Sequence, residues 1–123
     1  MRIVVPGEMP GMNEIVGAAK LAARARYGGG YTKEKRECTG LVERAALGVQ
    51  PVPAASVVCH WYCKDKRRNP DNIAAGVKFA LDGLVHAGVL KNDGWSEVLE
   101  LRHTFHVDKH NPRLEIELME VGA

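Results

Sequence analysis

Lys64-Asp65-Lys66-Arg67-Arg68-Asn69-Pro70-Asp71-Asn72, running on through Ile73 to Gly88 and then Val89-Leu90-Lys91-Asn92-Asp93-Gly94-Trp95, is the stretch from which the rest of the chain can be placed. Asn is among the strongest N-caps, Pro suits the first helical position because an N–H there would lack a partner, and a residue before Pro is pushed out of helical geometry. A helix therefore begins at Asn69-Pro70, with Asp71 in the first turn, where the macrodipole favours a carboxylate. At 100° per residue Lys78 and Asp82 fall within about 20° of Asp71, whereas Ile73, Val77, Leu81 and Leu84 lie between about 200° and 280°. The spacing predicts an amphipathic helix up to Gly88 whose apolar side packs on a sheet and whose outward stripe carries Asp71, Lys78 and Asp82. Capping explains Asp71 well. Asp82 is harder to explain, because an acid near a helix C-terminus opposes the dipole and an i,i+4 pair in the order Lys then Asp is worth only a few tenths of a kcal/mol.

Upstream, Arg2-Ile3-Val4-Val5 is a β-branched run stopped by Pro6-Gly7, which reads as a first strand with a turn behind it. Asn13 can cap a helix from Glu14 that runs through Ile15–Tyr27 and stops at Gly28-Gly29-Gly30. Three glycines give a mobile loop between two basic segments, not a phosphate cradle, since Lys33 is not in P-loop register with them. Thr32 offers the next N-cap, and Cys38, Leu41, Val42 and Ala45 recur at helical spacing until Gly48. From Ser56 to Cys63 both alternating rows are fairly apolar, as in a strand covered on both faces. Downstream, Leu99, Leu101, His103, Phe105 and Val107 alternate with Glu100, Arg102, Thr104 and His106, the pattern of a strand with one wet face. Asp108-Lys109-His110-Asn111-Pro112 turns the chain, and Leu114, Ile116 and Leu118 complete a hairpin. The order strand-helix-helix-strand-helix-strand-strand predicts an α+β fold, a small mixed sheet with helices packed on one face, in a single domain over residues 1–123.

Composition sets the outer bounds. A chain of 123 residues, 46% hydrophobic and 26% charged, is that of an ordinary globular domain. No apolar run approaches the ~20 residues that span a bilayer and no leader opens the chain, so no membrane partner and a cytoplasmic location are expected. Three cysteines, Cys38, Cys59 and Cys63, show no disulfide framework. Cys59 and Cys63 invite a zinc reading with His103, His106 and His110, but their spacing in a strand more simply places both on one buried face. The net charge of +2 hides an asymmetry: the front half is basic, while seven acids face three cations from Asp93 onward. A basic face suits a polyanion, although a charge run alone also fits plain solvated surface.

With these residues in place, the chain resembles the RusA family of Holliday junction resolvases. The resemblance rests on Arg67-Arg68-Asn69-Pro70-Asp71-Asn72-Ile73, Lys78, Ala80-Leu81-Asp82-Gly83-Leu84, Ala87-Gly88-Val89-Leu90 and Asn92-Asp93, with similar segments at Pro10–Asn13 and Leu114–Ile116. It implies a small α+β homodimer, a RusA-like domain, acting as a Mg²⁺-dependent endonuclease (with Mn²⁺ as a substitute) that cuts four-way junctions in branched DNA during recombination and repair. It assigns catalysis to Asp71, Asp93 and Lys78, with metal held by Asp71 and Asp93. Lys33, Lys35, Arg36, Lys66, Arg67 and Arg68 become phosphate-binding residues. The family pattern has an aspartate where this chain has Asn69. An amide caps a helix equally well but removes a charge, which leaves Asn69 as a weak metal position and Glu14 or Asp82 as replacements. The same change opens an alternative, a branched-DNA-binding protein that has lost cleavage.

Overall fold

The computed structural model describes residues 1–11 and 30–121, with the side chains of residues 30–34 outside that description. The expected Ile15–Tyr27 helix, its Asn13 cap, Glu14 and the Gly28-Gly29 hinge lie outside the described residues. The elements are β1 (Arg2–Pro6), α1 (Gly30–Ala45), β2 (Ala55–Cys63), α2 (Pro70–Ala74), α3 (Val77–His86), β3 (Val98–Val107) and β4 (Arg113–Glu120). The four strands form one mixed sheet in the order β1-β4-β2-β3, and the fold is α+β, with the described helices packed on one face. That face is built from Ile3 and Val5 of β1, Val57, Cys59, Trp61 and Cys63 of β2, and Leu114, Ile116 and Leu118 of β4. Against it lie Val42 and Ala46 of α1, Ile73 of α2 and Phe79, Ala80 and Leu84 of α3, in one continuous hydrophobic cluster. Among the described residues no helix is long and apolar enough to cross a membrane.

The strand and helix positions follow the alternation and capping signals closely, and the differences have identifiable causes. β3 and β4 are not a hairpin. β4 lies between β1 and β2, antiparallel to both, and β3 runs parallel to β2 at the sheet edge. The pairs Val57↔Leu118, Cys59↔Ile116 and Trp61↔Leu114 put apolar side chains opposite one another beneath the helices, so the strand with the best buried row takes the inner place. The five-residue turn crosses the end of β2 and is tied there by the Asp108 N–H to the Cys63 carbonyl at 2.8 Å. Displaced to the edge, β3 extends past the helical layer, and its apolar row is exposed instead of buried: Leu99 is 50% and Phe105 39% accessible.

The helix expected from Asn69 to Gly88 is two helices. Ala75 and Gly76 keep right-handed angles but with ψ flattened to −23° and −10°, and Gly76 N–H bonds the Ile73 carbonyl three residues back. Gly76 sits under the Trp61 ring and beside Met9, so closely that a Cβ would lie 3.1–3.3 Å from both. The chain tightens where the sheet's largest side chain meets the helix, and Gly is the residue that permits it. Helix α3 then closes with Gly88 at φ +79°, its N–H to the Val85 carbonyl at 3.0 Å and the Val89 N–H to the Leu84 carbonyl at 3.0 Å, a Schellman arrangement. α1 begins at Gly30, two residues before the expected Thr32 cap, so Thr32 is inside the helix. Cys59 and Cys63 share the buried face as their spacing predicts, and all three cysteines are free. Burial pushes the Cys59 thiol up to about 12.

α1 and α3 touch where Gly83 faces Val42, and a Cβ there would collide with the Val42 side chain and come within 3.0 Å of the Thr39 carbonyl oxygen. Gly83→Ala is expected to destabilise the protein by about 1–3 kcal/mol through overpacking, despite Ala's better helix propensity, read as a lower urea midpoint at unchanged slope.

Candidate functional site

The side chain at the centre of the expected site is Lys78, the second residue of α3. Its Nζ lies 3.2 Å from Asp82 Oδ1 and 3.9 Å from Asp93 Oδ2, and Asp82 Oδ2 lies 3.9 Å from Lys35 Nζ on α1. Charges alternate along this chain: Lys35, Asp82, Lys78, Asp93. Two local features create it. The i,i+4 spacing stacks Lys78 on Asp82, and the cap at Gly88 reverses the backbone so that buried Val89 and Leu90 anchor the loop carrying Asp93 back toward the same helix face. Within that loop the Asp93 N–H is bonded by the Asn92 side-chain oxygen at 2.9 Å. Asp82 is thus half of an inter-helix contact, which accounts for an acid at a position the helix dipole disfavours. Lys35, Arg36, Thr39, Glu43, Lys78, Asp82 and His86 line a cleft of about 560 Å³ between α1 and α3. The buried Thr39 hydroxyl has no hydrogen-bond partner among the described residues.

Asp71 and Asn69 lie at the start of α2, ahead of the break at Gly76. Asp71 is exposed in the first turn of α2, with its Oδ1 accepting the Asn72 N–H at 2.9 Å. Asn69 occupies the N-cap position with extended angles (φ −75°, ψ 153°), but its side chain makes no capping bond, which corrects the expected role of the amide. The helix start is held by other means: the Ile73 N–H reaches the Asn69 carbonyl at 3.1 Å and Pro70 occupies the first turn. Gly11 packs so tightly on buried Asn72 that a Cβ would come within 2.8 Å of its side chain, fastening the N-terminal loop to α2. Among the described residues no group of three or more His, Cys, Asp and Glu is arranged to hold a metal ion. Glu14 lies outside those residues, and Asp82 is engaged by two lysines.

The basic residues divide by use. Lys35 and Arg36 border the cleft beside Lys78; the Lys33 side chain is outside the described residues. Lys66 is exposed, and Arg67, with 90% of its side chain accessible, is held only loosely by Asp65 at 3.7 Å. Arg68 is different: its guanidinium donates to the Met9 carbonyl at 2.9 Å and lies 3.6 Å from Glu8, whose Oε2 also accepts the Lys64 N–H at 2.9 Å. Glu8 was not legible from sequence, since a lone acid in a loop carries no pattern.

A second polar group was missed on the face of the sheet away from the helices. His60 Nε2 is 2.9 Å from Glu117, His60 Nδ1 is 2.6 Å from the Thr104 hydroxyl, and that hydroxyl is 2.8 Å from His106 Nε2. Tyr62 stacks on His106 with ring centres 4.6 Å apart and lies under the Arg113 guanidinium at 3.8 Å. Among the described residues these side chains cover the His60 and Tyr62 end of the second row of β2. The His60 hydrogen bond, aided by Arg2, holds the Glu117 carboxyl below the usual range, and Arg113 does the same for Glu115. On the opposite face the Trp61 indole N–H donates to His103 Nδ1 at 2.9 Å, and burial pushes the His103 imidazole below its ordinary value.

Set beside known proteins, the chain matches no family model and no curated protein.

The two arginines separate structure from surface. Arg68→Ala is expected to cost about 1–3 kcal/mol by releasing the Glu8–Met9 loop, seen as a lower melting temperature. Arg67→Ala is expected to leave melting unchanged and to weaken only the binding of a polyanion.

Proposed function

We propose that the protein is a Mg²⁺-dependent endonuclease that resolves four-way junctions in branched DNA, acting as a cytoplasmic homodimer in recombination and repair. The observation that carries this reading is the placement of Lys78 between Asp82 and Asp93 at the rim of a cleft bordered by Lys35 and Arg36. Phosphodiester cleavage needs fixed positive charge where negative charge develops and carboxylate oxygens nearby. Both occur here, on elements held by buried residues.

The donor chemistry suits Mg²⁺, which takes oxygen ligands and commonly uses one or two carboxylates with waters and phosphate oxygens making up the rest. Asp71 and Asp93 would hold it, with the Asn69 side-chain oxygen as a weaker donor; when bound, it lowers the pKa of a water and offsets charge on the leaving oxygen. The chain's own groups do the remainder. Lys78, oriented by Asp82, places its ammonium against a non-bridging phosphate oxygen. Its looser partner Asp93 sits 3.9 Å away, and the Lys78 side chain is 56% accessible, which leaves the ammonium within reach of substrate. Lys35, Arg36, Lys66 and Arg67 bind backbone phosphates, which position the DNA without reading its sequence. Paired cuts on opposed strands need two sites related by a two-fold axis, hence the dimer.

A second reading, a branched-DNA-binding protein without cleavage, is favoured by the absence of a three-acid group among the described residues and by Asn69. Both readings keep the phosphate contacts and differ in chemistry. The expected result is Mg²⁺-dependent nicking of a synthetic four-way junction, reduced at least ~10²-fold by Asp93→Asn or Lys78→Ala with binding retained. Tight junction binding with no nicking in Mg²⁺ or Mn²⁺ would select the second reading, and equal affinity for linear duplex would remove both.

Asn69 supplies a further check. Because its side chain makes no capping bond, Asn69→Asp is expected to leave stability nearly unchanged while lowering the Mg²⁺ concentration for half-maximal nicking. An unaltered metal titration would show that Asn69 is no ligand.

A further inference from the structure

The two edges of the sheet are unlike. β1 is five residues long and ends in Pro6, and its Arg2 side chain is bound to Glu115 and Glu117 of the neighbouring strand. Short length, proline and charge are the usual devices that stop an edge from pairing with another chain. β3 is less defended: its charges are Glu100 and Arg102, 3.9 Å apart, and its one pairing irregularity is at Leu99, near its start. It is ten residues long, contains no proline, lysine or glycine, and pairs regularly with β2 from Glu100 to Val107. Its core-side row of Leu99, Leu101, Phe105 and Val107 is between 39% and 50% exposed. Among the described residues nothing pairs with this edge, and an unpaired edge with an apolar row beside it is a template for another strand.

We propose that β3 pairs antiparallel with β3 of a second copy, about a two-fold axis through His103, joining the two four-stranded sheets into one of eight strands. The strand's own pattern selects this register. An axis perpendicular to the sheet keeps like faces together, and at His103 it sets Leu99 opposite Val107 and Leu101 opposite Phe105 of the second copy, so the whole apolar row is used in both directions. On the other face Glu100 meets His106 and Arg102 meets Thr104, with no like charges opposed. Moving the axis to Arg102 would put two arginines face to face. Moving it to Leu101 would pair Glu100 with Arg102 but leave Phe105 and Val107 beyond the end of the opposing strand.

The surface next to the strand is shaped for the same arrangement. A cleft of about 500 Å³ runs between Phe105 and Val107 on one side and Pro70 and Ile73 on the other. In the proposed register it faces Leu99 and Leu101 of the second copy, and the second copy's cleft faces the same residues of the first. Groove and ridge thus lie on opposite sides of the axis, as a self-complementary two-fold interface requires.

The inference gives a surface to the dimer in the proposed function and so rests on that reading, but it is tested by mass and not by cleavage: a dimer that cuts nothing would sink the nuclease, and a monomer that cuts would sink the interface. Sedimentation of the full chain at micromolar concentration is expected to give twice the chain mass, falling two-fold for Leu101→Lys. Should that variant fail to fold, the double variant Arg102→Cys with Thr104→Cys decides: mild oxidation is expected to give a covalent dimer on a non-reducing gel, because directly opposed strand positions place Cβ atoms about 4.5–5.5 Å apart. Wild-type protein of single-chain mass, a folded Leu101→Lys variant that keeps twice that mass, or a cysteine pair that does not cross-link would overturn the pairing.

Discussion

Burial of one row of β2, from Val57 through Cys59 and Trp61 to Cys63, is the constraint on which the remaining structure depends. That strand has a neighbour on each side, so its row must be covered from above by helices, and its exit at Cys63 fixes where Asn69 and Pro70 can start α2. Trp61 makes the constraint specific. Its ring meets Gly76, where the helical path tightens into two segments, and its N–H finds His103 so that a large buried side chain leaves no unpaired donor. Every other placement follows: β4 inside because its apolar row matches that of β2, β3 outside because its partners are already taken.

The lysine-centred cluster is a product of helix packing more than of local sequence. Lys78 and Asp82 would meet on any regular helix, but Lys35 comes from α1 and Asp93 from the loop behind the Gly88 cap. The close approach of α1 to α3 at Gly83 brings Lys35 within reach of Asp82, so a glycine with no chemistry of its own controls the spacing of the charges. The cluster is neutral in itself, and at its border Arg36 is balanced by Glu43.

Charged side chains also hold the outer parts of the fold together. Glu8 and Arg68 lock the N-terminal loop onto the basic turn, and Arg113 bridges Asp108 and Glu115 at the crossover behind β4. These pairs are partly exposed and individually modest. Their positions matter more than their energies, because each fixes a loop that carries the chain across the end of the sheet.

Residues in sequence placed all four strands to within about two residues, the helix start at Asn69-Pro70, the stop at Gly88, Leu81 and Leu84 on the buried side of α3 but not Phe79, and the Lys78–Asp82 pair. All of these depend on periodicity, capping or turn chemistry acting over a few residues. What they could not decide was strand order, the exposure of β3, the break at Gly76, the engagement of Arg68 and the polar chain from Glu117 to His106. The sequence determined which faces are apolar and where elements begin and end, since those are properties of neighbouring residues. Only the tertiary structure decided which apolar face is covered, because burial is shared among strands competing for one helical layer, and β3 is the strand left over.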